Sequence, residues 1–182
     1  MRISTNAGLS WTSLPAPAEA WTSVACSTDG RKIVAGGRNT GTIYVSTNSG
    51  TNWKLATNIV TNPSGWVSVA SSWNGNTLLA MGRYVYVSTD AGATWRLPNT
   101  SPQSSLNTST TAASSTDGSY LAVAAFDIGV YISTNSGANW VATSTGPNTA
   151  GAFSANGGML MAALYTGGIY ILNLPPSPPS VS

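Results

Sequence analysis

The chain has 182 residues, of which only 7% are charged; seven Lys and Arg stand against five Asp and Glu, for a net charge of +2. That length can bury a real core, and the 42% hydrophobic share excludes a chain kept unfolded by its charge. The basic residues form no cluster, which excludes the electrostatic footprint of a nucleic-acid binder. One cysteine, Cys26, and no histidine exclude a disulfide framework and a Cys/His zinc site within the chain, so no cofactor or metal is expected.

In chain order, a short strand end at Arg2-Ile3 runs into the octet Ser4-Thr5-Asn6-Ala7-Gly8-Leu9-Ser10-Trp11, and a strand continues to about residue 14. After a Pro-containing loop over 15–19, residues 21–27 alternate as a first strand. The turn Thr28-Asp29-Gly30 follows, then a second strand over 32–35, a loop over 36–41 and a third strand over 42–45. That strand leads into a second octet, Ser46-Thr47-Asn48-Ser49-Gly50-Thr51-Asn52-Trp53, and a fourth strand over 53–57. The same order recurs with first strands over 66–72, 109–115 and 148–154, second strands over 77–80, 120–124 and 159–163, and third strands over 84–87, 130–132 and 169–172. Asp-Gly or Asn-Gly closes each first hairpin, because both residues tolerate positive φ. Two more octets, Ser88-Thr89-Asp90-Ala91-Gly92-Ala93-Thr94-Trp95 and Ser133-Thr134-Asn135-Ser136-Gly137-Ala138-Asn139-Trp140, follow the second and third units.

The octets begin 42, 42 and 45 residues apart, and a fixed period of that size marks a repeat architecture. No window carries the helical 3.6 period. Four short antiparallel strands per unit predict an all-β fold, a β-propeller of four blades spanning 1–174, with a Pro/Ser-rich tail or linker over 175–182. In the third strand, Tyr44, Tyr86, Tyr131 and Tyr170 share one column. Val45, Val87, Ile132 and Ile171 share the next, so the two columns face opposite neighbouring blades. The last unit has no octet of its own. The N-terminal strand is therefore expected to complete the last blade, from the same chain or from a second copy. In the second case two chains form a homodimer that closes one eight-bladed ring. No run approaches the ~18 apolar residues of a membrane helix. The start inside a repeat, with no signal peptide, is read as a mature or excised piece, and an extracellular or cell-surface setting is favoured.

The octet, with Asp or Asn third, Gly fifth and Trp eighth, resembles the Asp-box, also called the bacterial neuraminidase repeat. The resemblance covers nearly the whole chain. It implies a β-propeller with boxes on the hairpins between third and fourth strands, on the rim away from the binding funnel. The relatives it implies include sialidases, xyloglucanases, sortilin-like receptors and photosystem assembly factors. The box residues have a structural reading: Asn6, Asn48, Asp90 and Asn135 accept backbone hydrogen bonds within the turn. Gly8, Gly50, Gly92 and Gly137 supply positive φ. Trp11, Trp53, Trp95 and Trp140 bury large surfaces while their indole N–H finds a carbonyl. Three of the four boxes carry Asn, which cannot act as a general acid.

The resemblance implies that a sialidase of this kind needs an arginine triad, a Tyr nucleophile with a Glu partner and an Asp acid/base, and glycosidases in general need two carboxylates across a cleft. Asp29 and Asp117 are turn residues and Asp90 is a box residue, which leaves Glu19 and Asp127. These lie in loops of non-adjacent blades, though on one face. Arg38 and Arg83 occupy matching loops; Arg2 and Arg96 do not match them, and the Arg-Ile-Pro signature is absent. The catalytic reading therefore gives way to a binding one. Its candidates are Arg38, Asn39, Thr40, Arg83, Asp127 and Thr166 on the funnel-side loops, with Trp21 and Trp66 beneath them, facing a glycan or protein ligand. The competing reading has Trp21 and Trp66 plug the axis or pack between blades. The function expected is a non-enzymatic binding or assembly module. The alternatives are a fragment of a glycoside hydrolase or sialidase-like propeller and a structural repeat protein without a ligand. The sequons at Asn99 and Asn107 are read as chance in so Asn- and Thr-rich a chain.

Overall fold

The computed structural model describes residues 1–38, 40–59, 65–66, 68–100, 102, 110–126, 128–144, 148–153, 158–164 and 168–173. The chain is all-β there. A two-stranded hairpin comes first, β1 (Arg2–Ile3) with β2 (Thr12–Ser13). The first full sheet is the meander β3 (Trp21–Cys26), β4 (Ile33–Gly37), β5 (Ile43–Ser46) and β6 (Lys54–Leu55). The second holds β7 (Ser68–Ser71), β8 (Leu78–Met81) and β9 (Val85–Ser88), with a single antiparallel bridge from Val87 to Arg96 where a fourth strand would run. The third has β10 (Thr110–Ser114), β11 (Leu121–Ala125), β12 (Gly129–Ser133) and β13 (Val141–Ser144). The last has β14 (Asn148–Phe153), β15 (Met159–Leu164) and β16 (Ile169–Asn173).

The first-hairpin turns explain the register. Ser27 donates its hydroxyl to Asp29 Oδ1 at 2.6 Å, Asp29 Oδ1 accepts the Arg31 N–H at 3.0 Å, and Ser27 Oγ accepts the Lys32 N–H at 3.0 Å. Ser72 with Asn74 and Ser115 with Asp117 repeat the arrangement. An amide and a carboxylate thus hold the same turn, because each offers one acceptor oxygen at the same place. The fourth turn, over 155–157, lies outside the described residues.

Successive sheets stack through opposite faces. Val34, Ile43 and Val45 of the first sheet pack on Val69, Leu78, Ala80, Tyr86 and Trp95 of the second. Leu79, Val85 and Val87 of the second pack on Leu121, Val123 and Trp140 of the third, and Ala122, Val130 and Ile132 of the third pack on Leu160, Ala162 and Leu172 of the last. Tyr86 and Val87, neighbours on β9, serve different interfaces, as strand alternation requires. The first strands lie side by side from sheet to sheet, β3 by β7, β7 by β10 and β10 by β14. Backbone bonds continue along the same path: the Thr28 N–H donates to Trp73 O and the Trp73 N–H to Thr116 O, both at 2.8 Å. Ser23 Oγ accepts from Val69 N–H and Ser68 Oγ from Ala112 N–H. The result is a propeller-like series of sheets. Among the described residues, the first and last sheets share no contact of comparable extent.

The expected completion of the last sheet by the N-terminal strand is not made within this chain. β1 pairs with β2 alone, and the last sheet has three strands among the described residues. The hairpin instead belongs in front of the first sheet. Its Leu14 sits where a Cβ on Gly50 would fall, 2.6 Å from Leu14 Cδ1. Residues 175–182, the expected tail, lie outside the described residues. Among the described residues no helix is long and apolar enough to cross a membrane.

Candidate functional site: two rims of one sheet series

Each box is a clamp with a serine at its hub. Ser88 Oγ donates to Asp90 Oδ1 at 2.8 Å and accepts the Gly92 N–H at 2.9 Å, while Asp90 Oδ1 accepts the Thr94 N–H at 2.8 Å. Asn48 with Ser46 and Asn52, Asn135 with Ser133 and Asn139, and Asn6 with Ser4 and Ser10 reproduce it. The hub serine is a residue the sequence reading missed; its presence at the start of all four octets was the available signal. Positive φ extends one residue further than expected, to Ala7, Ser49, Ala91 and Ser136 before each glycine. Gly92 and Gly137 also serve the sheet-to-sheet approach: a Cβ there would lie 2.7 Å from Val45 Cγ1 and 2.6 Å from Val87 Cγ2 of the preceding sheet.

The box tryptophans are less uniform than expected. Trp95 and Trp140 are buried, Trp53 is half-buried and Trp11 is exposed. Trp53 Nε1 donates to Gly50 O at 3.0 Å. The indole N–H groups of Trp95 and Trp140 are buried without an acceptor among the described residues. Their rings are turned into the cores between sheets, where the area buried outweighs the lost hydrogen bond.

The carboxylates are engaged in these clamps. The Asp90 carboxyl is held below its ordinary 3.8, first by the Thr94 hydroxyl and then by the Thr94 N–H. The Asp29 carboxyl is likewise lowered, first by the Ser27 hydroxyl and then by the Arg31 N–H. Glu19, one of the two off-pattern acids, accepts the Thr40 N–H at 3.2 Å and the Thr40 hydroxyl at 2.5 Å. It ties the loop entering β3 to the β4–β5 loop. Asp127 lies outside the described residues, as do Asn39 and Thr166.

On the rim opposite the boxes, Arg38 and Arg83 are both exposed, in matching second-to-third-strand loops of neighbouring sheets. Arg83 stands over the Tyr84 ring, 5.6 Å from its centroid, a cation–π arrangement. Trp66 offers no surface to a ligand. It is buried, its Nε1 donates to Gly41 O at 2.8 Å, and its ring meets Tyr86 edge to face at 5.8 Å. Trp21 makes the same pairing with Tyr44 at 5.7 Å and also lies 6.0 Å from Trp53; it is half-buried. Trp66 therefore packs between sheets, whereas Trp21 packs on Tyr44 and Trp53 of its own sheet. On the box rim, a cavity of about 280 Å³ opens between two boxes, lined by Asn48, Trp53 and Lys54 of one sheet and Asp90, Ala91 and Gly92 of the next. No sequence signal marked it, since it arises only when two boxes are set side by side.

Residues 86–97, which contain the third box, match the BNR/Asp-box repeat family. No curated protein matches the chain. Among solved structures, the chain is similar to a GH74 enzyme of Niastella koreensis, with a TM-score of 0.61 and 23% identity over 84% of this chain. An ancestral GH74 enzyme gives 0.68 and 23% over 88%. The chain spans only 22% and 24% of those two chains. It is also similar to the computationally designed Ika4 protein, with a TM-score of 0.64 and 17% identity, covering 90% of this chain and 96% of that one. At these identities the likeness is one of fold alone, a propeller-like series of antiparallel sheets.

Proposed function

We propose that this chain is a non-enzymatic binding module of propeller type, with its ligand, a glycan or a protein loop, received on the rim that carries Arg38 and Arg83. The observation that carries the reading is the use of the carboxylates. Asp29, Asp90, Asp117 and Glu19 each hold a turn, a box or a loop. A glycosidase needs two carboxylates free to face a sugar. Exposed guanidinium groups in matching loops, one beside an aromatic ring, suit polar ligands with flat faces. A second reading, that the chain is part of a glycoside hydrolase, draws on its likeness to about a quarter of two GH74 enzymes.

A glycan array followed by calorimetry on the hits tests the first reading. Arg83→Ala is expected to weaken binding at least ~10-fold, and Lys54→Ala, on the box rim, is expected to leave it unchanged. Fluorogenic glycosides test the second. Turnover by the parent that is lost in Asp127→Asn or Glu19→Gln would replace the binding module with a hydrolase.

A further inference from the structure

The internal interfaces show what the two end faces of the series are built to meet. In the first two junctions a sheet presents alternate residues of its second and third strands to residues of the next sheet, together with that sheet's box tryptophan. The last sheet carries the same presenting residues. Met161 and Ile171 are directly paired, and Ile169 is two residues from Ile171, so all three share one face. They stand where Leu79, Val87 and Val85 stand in the second sheet, which are fully buried. Here they are 45%, 59% and 72% exposed. The opposite face of the same sheet, with Leu160 and Ala162, is buried against the third sheet.

The first sheet carries the receiving residues. Val24 occupies the position of Val69, yet it is 58% exposed where Val69 is 6% exposed. Trp21, Tyr44 and Trp53 occupy the positions of Trp66, Tyr86 and Trp95. The second-sheet set is buried in the junction, and the first-sheet set is only half-buried. Among the described residues, only the β1–β2 hairpin lies in front of the first sheet, reaching the box at Gly50 through Leu14. The chain thus ends in a presenting face at one end and a receiving face at the other, both without charged residues. The two match by the positions that join the first sheet to the second.

We infer that the occupant of each end face is the other end face of a second copy of this chain, joined head to tail by a fourth repetition of the internal junction. The association is heterologous, because the two faces differ; it closes when the rotation completes a circle. Among the described residues β16 pairs with β15 alone, and its other edge gains a strand neighbour from the incoming hairpin. This inference stands independently of the ligand-binding reading, since the end faces are not on either rim.

Light scattering during size-exclusion chromatography of the 182-residue chain tests it. The expected mass is at least twice the 18.6 kDa of one chain. Ile171→Lys, on the presenting face, and Val24→Lys, on the receiving face, are each expected to reduce the mass to one chain. An equimolar mixture of the two variants is expected to recover a species of two chains, because one intact junction remains between them. Both positions are exposed, so each monomeric variant keeps the β-sheet circular dichroism of the parent. A parent of one-chain mass overturns the inference. So does an oligomer that survives Val24→Lys, which indicates a junction of like faces, and so does a mixture that stays monomeric.

Discussion

At the scale of single residues, the box is governed by its serine more than by the acid that names it. Ser88 is buried, and its hydroxyl is both donor to Asp90 and acceptor from the Gly92 N–H. Ser88→Ala leaves that amide unpaired inside the structure, at a cost of about 1–3 kcal/mol, which urea denaturation measures. Asp90→Asn is expected to cost much less, since Asn48 and Asn135 hold the same bonds in neighbouring boxes. The acid does leave a mark in pH dependence. The carboxyls of Asp29 and Asp90 are lowered from 3.8 in the folded chain. Their contribution is present above the unfolded value and is lost as pH falls through the lowered one. Thermal melts from pH 6 to pH 2 are expected to show a smaller acid-side fall for Asp90→Asn than for the parent.

At the scale of elements, the strands were legible and their contacts only partly so. Alternation and Asp-Gly or Asn-Gly turns placed first, second and third strands within a few residues of where they lie, because period and turn chemistry are local. The opposite facing of Tyr86 and Val87 was also legible, since it follows from strand geometry alone. The indole N–H groups of Trp95 and Trp140 and the burial of Trp66 were not. They depend on which sheet lies alongside, which no single repeat encodes. Two of the fourth strands also fell short, with β6 two residues long and a lone bridge at Arg96, whereas β13 pairs along β12. Arg96 reaches instead to the next box, donating to Ser136 O at 2.8 Å.

Glycines of the box separate strain from packing at this same scale. A Cβ at Gly8 meets nothing, whereas one at Gly92 lies 2.7 Å from Val45, and both residues have φ above +80°. Gly8→Ala therefore pays only the left-handed backbone cost, roughly 1–2 kcal/mol. Gly92→Ala pays that and the displacement of Val45 from the junction between sheets. Chemical denaturation of the two variants is expected to rank Gly92→Ala as clearly the more destabilised; equal losses would mean that the box does not touch the preceding sheet.

For the whole molecule, the repeat makes one junction three times and leaves its two halves open at the ends. Arg38 and Arg83, the candidates legible from sequence, do share one rim, and Glu19 sits beside that rim as a loop tie. The cavity between boxes and the end faces were invisible in the sequence, because both are properties of sheets placed next to each other. The central claim is that Asp29, Asp90 and Asp117 are structural, in roles that amides already fill elsewhere in the same repeat. It is tested most directly by replacing these three at once, with Asp29, Asp90 and Asp117 changed to Asn. Thermal unfolding of this variant at neutral pH, with the parent's array ligand present and absent, is the measurement. The account predicts a cooperative melt within a few degrees of the parent, where ~1 kcal/mol corresponds to about 2–4 °C, and an undiminished rise on adding ligand. A chain that fails to fold, or that folds and no longer responds to the ligand, would contradict it.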